Sequence, residues 1–115
     1  MQALDTLVYC VYLEHHYPEA ERLGKELVDF ERRVLGPDDS STAQVTYNLA
    51  VYLALQGKRE EALSNLRQSV ERGLAPSEDL KIESDADLRS LHGDPGFTEV
   101  VAIGKQRAAA TQGAK

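Results

Sequence analysis

The strongest constraint on this chain is that it repeats itself. Ala20 falls on Ala62, Leu7 on Leu49, Val11 on Leu53, Leu13 on Leu55, Glu19 on Glu61 and Val28 on Val70, all at one offset of 42 residues. His15 falls on Gly57, and both sit where a helix should turn. A period of this size belongs to stacked helical units, each of which buries its apolar face only against its neighbour.

Each copy reads as a pair of helices. In the first, Leu4, Leu7, Val8, Val11 and Tyr12 recur at helical spacing, and the run should stop near His15-His16. Pro18 suits the first turn of the next helix, where a missing N–H costs nothing. Ala20, Leu23, Leu27, Val28 and Val34 then form its apolar stripe. The stretch LGPDDSS, Leu35–Ser41, is a stop signal, and Ser41-Thr42-Ala43-Gln44 matches a capping box that opens the third helix. Leu49, Ala50, Leu53 and Leu55 follow; after Gly57, Ala62, Leu63, Leu66 and Val70 rebuild a stripe that ends at Gly73. The expected helices are therefore 3–14, 18–34, 42–56 and 59–72. Ala20 and Ala62 are small because each helix is expected to cross its partner closely there, where a larger side chain would force the backbones apart.

The stretch YNLAVYLALQGKREEAL resembles a tetratricopeptide repeat in Asn48-Leu49-Ala50, the turn glycine Gly57, and Glu60-Glu61-Ala62. The preceding ERRVLGPDDSSTA is similar to the linker of the kinesin-light-chain-like subclass, with repeats of about 42 residues. The first copy departs from the pattern at Val8 and His15, and the second has Thr46 and Arg59 where bulky aromatics are common. The stretch DADLRSLHGDPGF resembles the closing segment found after such arrays in multidomain bacterial proteins. The resemblance implies an all-α fold of stacked antiparallel hairpins, an α-solenoid of about two repeats with C-terminal capping helices. Residues 1–73 hold the two hairpins, 74–110 a degenerate repeat with capping helices, and 111–115 a disordered tail. In the closing part, Ser77 after Pro76, Ser84 or Asp85 before 86–91, and Asp94-Pro95 are helix starts, with Phe97, Val100, Val101 and Ile103 turned inward on helices too short for a third full repeat.

Composition narrows the function. A net charge of −6 repels a phosphate backbone, and no run approaches the length of a membrane span. The single cysteine, Cys10, excludes an internal disulfide and fits a cytoplasmic setting; within its apolar run it reads as a buried small side chain rather than a nucleophile. His15-His16 lack a third ligand at helical spacing, His92 stands alone, and Ser40-Ser41 has no partner histidine in a triad-like arrangement. No enzyme, metal or cofactor is expected.

A binding module is. In stacked hairpins the first helix of each pair lines a concave surface that accepts extended peptides or partner helices. By resemblance, Asn48 occupies the place of the asparagine that hydrogen-bonds a bound peptide's backbone; the first copy has Thr6 there. Tyr9, Asp5, Tyr12 and Val51 are the other peptide-contacting candidates. Tyr12 and Tyr47 also fit plain inter-helix packing, and Asn48 a surface amide. The carboxylate clamp of lysine and arginine known from such grooves has no counterpart, because 3–14 and 42–56 contain neither residue. The competing class is a structural cap or oligomerisation element. The first hairpin begins at once with Gln2-Ala3-Leu4, which fits either the C-terminal part of a larger repeat protein or an open end that pairs with a second copy as a weak homodimer, through a face expected to carry Leu4, Val8 and Val11 or their neighbours.

Overall fold

The computed structural model describes residues 2–74 and 81–113, with side chains at 6–74 and 81–110. Helices α1 (Gln2–Leu13), α2 (Tyr17–Val34), α3 (Ser40–Leu55) and α4 (Arg59–Arg72) pack in sequence, each against the next. Two short 3₁₀ helices, Ile82–Ser84 and Ala86–Leu91, precede α5 (Pro95–Gly113). Ala86–Leu91 lies against α3 and α5 against α4, so the closing part covers the second hairpin. There is no strand among the described residues, and the fold is all-α, as the sequence implies.

The repeat register is visible in the backbone. His15 and Gly57 both hold positive φ, 64° and 78°. That is the left-handed region, which glycine enters freely and few other residues do. Ala20 and Ala62 are both fully buried. The core runs from Val8 and Val11 through Leu27, Leu49, Leu53, Leu66 and Val70 to Leu88, Leu91, Phe97 and Val100.

Several local expectations are corrected. The cap of α3 is Asp39, whose carboxylate accepts from Ser41 N at 2.8 Å. A carboxylate is the better acceptor beside the positive end of a helix, so the helix starts one residue before the capping box. Ser41 is freed to donate through its hydroxyl to Glu31 Oε1 at 2.6 Å, which ties α3 to α2. Cys10 is exposed rather than buried, since Val8 and Val11 take the inward face of α1 and Cys10 lies about 100° round the helix from Val11. Leu7 and Leu13, not Val8 and Val11, are the exposed apolar residues of α1; Leu4 lies outside the residues with described side chains. Val34 is exposed at the end of α2, past the buried stripe.

In the closing part, Asp85 caps Ala86–Leu91 by accepting from Asp87 N at 2.9 Å, and Ser77 lies outside the described residues. The last helix is not short. It spans 19 residues and continues past Thr111, where the sequence reading begins its tail, because the alanines and long unbranched side chains from Lys105 to Ala110 favour helix. Its inward residues include Phe97, Val100 and Val101, with Ile103 half-buried.

One buried charge joins the two hairpins. Glu21 on α2 receives Lys25 Nζ at 2.8 Å, Lys58 Nζ at 2.8 Å and Gln56 Nε2 at 2.9 Å. Burial alone would raise its carboxyl, but the bonds from Lys25, Lys58 and Gln56 outweigh it and hold it down at about 2, against an ordinary 4.5. A depressed carboxyl stabilises the fold above its unfolded value and loses that contribution as pH falls toward the folded one. Unfolding free energy should therefore decline between pH 4.5 and pH 2, with Glu21 accounting for on the order of 2–3 kcal/mol. Urea titrations at stepped pH check this: Glu21→Gln should flatten that acid limb, and an unchanged limb would place the acid sensitivity elsewhere.

Candidate functional site

Helices α1 and α3, the first members of their hairpins, face a common cleft. Tyr9 and Tyr12 stand three residues apart on α1, and Asn48, Val51 and Tyr52 recur at helical spacing on α3, so each set shares one helix face. The cleft, about 240 Å³, is lined by these five with Tyr47, Asp85 and Asp87. A smaller recess of about 130 Å³ adjoins it between α1, α2 and α3, and the two share Tyr9, Asn48 and Tyr52. Tyr9 is largely exposed, Tyr12 and Asn48 half-buried and Val51 buried. Asp5 lies outside the residues with described side chains.

The tyrosines form a row. Ring centroids are 6.1 Å apart for Tyr9 and Tyr12, 5.6 Å for Tyr12 and Tyr52, and 6.2 Å for Tyr12 and Tyr17. Asn48 Oδ1 accepts from Gln44 Nε2 at 3.1 Å, the i to i+4 amide pair that a surface asparagine makes. Its Nδ2 has no partner among the described residues and remains a donor beside the cleft.

The closing segment forms the cleft's far wall. Tyr12 Oη donates to Asp87 Oδ2, and Tyr47 Oη donates to Asp85 Oδ2 at 2.5 Å. The bond to Asp87, and then burial, push the Tyr12 phenol well above its ordinary range. Neither lysine nor arginine lines the cleft. A larger recess, about 400 Å³, lies elsewhere, among Arg32, Thr42, Gln68 and Arg72. It has no aromatic wall; Arg72 is paired with Asp38 at 3.3 Å, and the Thr42 hydroxyl is buried without a partner.

The model of the tetratricopeptide repeat matches residues 1–73, the two hairpins whose first helices line this cleft. The chain belongs to the tetratricopeptide repeat family. Comparison with curated proteins and with solved structures found no match.

Tetratricopeptide repeats in general mediate protein–protein interactions and are not catalysts. No group of three or more His, Cys, Asp or Glu able to hold a metal occurs among the described residues, and no described helix is long and apolar enough to cross a membrane. Of the five sequence candidates, Asn48, Tyr9, Tyr12 and Val51 line one cleft. Sequence reasoning missed Asp85 and Asp87 as members of that cleft, because both lie outside the repeats and Asp85 reads as a helix start. The available signal was two acids two residues apart, which in a 3₁₀ start can turn toward the groove tyrosines while one of them still caps.

Proposed function

We propose that this tetratricopeptide protein is a non-enzymatic interaction module that binds an extended peptide segment of a protein partner along the concave face of α1 and α3. The observation that carries the reading is Asn48: it lines both recesses of that face and has an uncommitted amide donor. An amide that can donate and accept suits a peptide bond of any sequence. Its neighbour Leu49 is buried in the hairpin, so Asn48 is presented about 100° away, toward the cleft. Tyr9 and Val51 supply apolar wall. With its lone Cys10 an exposed free thiol, the module suits a reducing, cytoplasmic setting.

The test uses peptides recovered by panning a displayed random library against the protein. Asn48→Ala should weaken their binding by about 0.5–1.5 kcal/mol at an unchanged thermal midpoint. If affinity and midpoint fall together, Asn48 is a packing residue; if neither moves, the concave face is not the binding surface.

A second reading, self-association as a weak homodimer, is favoured by one comparison. Leu7 is 50% exposed, whereas Leu49 at the same repeat position is 4% exposed beneath α2. Leu13, also exposed, adds a second bare leucine on α1. Sedimentation at high protein concentration should show dimer that Leu7→Glu with Leu13→Glu abolishes; a monomer throughout removes this reading.

A further inference from the structure

Resting on the peptide-binding reading, we infer that the bound segment carries a lysine or arginine whose cationic head enters the cleft between the Tyr9 and Tyr12 rings and the Asp87 carboxylate. The cleft selects by charge and by ring geometry. Asp85 accepts from Tyr47 Oη and Asp87 N, and Asp87 accepts from Tyr12 Oη. These donors are all neutral, and no lysine or arginine lines the cleft beside the two carboxylates. Asp87 Oδ1 has no hydrogen-bond partner among the described residues and is left to accept. An acidic side chain entering this space would meet two like charges and no lysine or arginine. An apolar one would strip water from half-buried carboxylates without replacing it. A cation satisfies both constraints.

The aromatic wall points the same way. Tyr9 and Tyr12 are inclined by 30° and Tyr12 and Tyr52 by 45°, and all three rings line one small cleft. A ring face carries the negative part of its quadrupole and attracts ammonium or guanidinium within about 6 Å. Tyr12 and Tyr47 do not have to move to meet the ligand, because the aspartates already hold them. Asn48 on the same wall would hold the adjoining peptide backbone, so one side chain and one peptide unit are read together.

The experiment uses the 115-residue protein and the panned peptides. Those peptides should share a lysine or arginine at one fixed position. Replacing it by norleucine, which keeps the stem and removes the charge, should weaken binding at least about tenfold, and added salt should weaken the parent peptide but not the norleucine form. Tyr9→Leu, at an exposed ring, should weaken the parent peptide about threefold to tenfold with no change in thermal midpoint. Asp87→Asn should abolish the preference for the basic peptide over its norleucine form; Tyr9→Leu decides the matter if that variant is unstable. Peptides that lose affinity on Asn48→Ala yet tolerate norleucine would overturn the basic-residue inference while leaving peptide binding in place. A library that yields no binder would overturn both.

Discussion

Replacing Gly73 by alanine is expected to cost about 2–4 kcal/mol of stability, far more than the same change at another turn glycine, Gly57. Gly73 ends α4 with φ 131°, a conformation that L-residues rarely adopt. Strain there is worth roughly 1–3 kcal/mol by itself. The second contribution is steric. A Cβ on Gly73 would lie 2.6 Å from the carbonyl oxygen of Asp38, in the linker between α2 and α3. That neighbour is backbone, so relief requires the end of α4 to draw away from the linker. At Gly57 φ is 78° and nothing lies within 4 Å of a built Cβ, so alanine there should cost only roughly 1 kcal/mol. His15 already occupies the equivalent turn of the first hairpin at φ 64°, which shows that the site tolerates a side chain. Urea midpoints for the two variants, measured side by side, make the comparison. Equal losses would mean that α4 does not approach the linker closely.

That contrast also shows what the sequence could and could not reveal. The spacing of Ala20 and Ala62, the matched core positions Val11 and Leu53, and the turn pair His15 and Gly57 follow from local periodicity, and the hairpins form where it puts them. Gly73 was legible as a helix stop but not as the point where α4 meets Asp38, since that approach joins segments far apart in the chain. Caps are settled among near neighbours: Asp39 accepts from Ser41 N and starts the helix early enough that Ser41 lies inside it instead of capping it. In the candidate site, the α1 and α3 residues were legible because they share helix faces. Asp85 and Asp87 were not, because no period links them to α1 or α3; only folding of the closing segment across the groove brings them to Tyr47 and Tyr12.

How firmly that closing segment belongs to the fold is open to direct measurement at Leu88. The family match ends at residue 73, yet the apolar core does not. Leu88, on the 3₁₀ helix that lies against α3, is 0% exposed and belongs to the same core cluster as Leu53 and Val70. Leu88→Ala is expected to cost about 2–4 kcal/mol, the loss of a buried isobutyl group plus the cavity left behind. A loss of that size is possible only if the segment unfolds together with the repeats. Were it an appendage docked on a finished two-hairpin array, the mutation would merely detach it, and the global loss would stop at the small docking energy. The chain has no tryptophan, so tyrosine emission reports on the region that includes Tyr12 and Tyr47, the two rings bonded to the segment. In the unsubstituted protein the urea transition followed by tyrosine emission should coincide with that followed by helical circular dichroism. In Leu88→Ala both should move together to lower urea. A tyrosine transition that precedes the loss of helix would show that the repeats stand without their cover, and that the Asp85–Asp87 wall of the cleft can open independently.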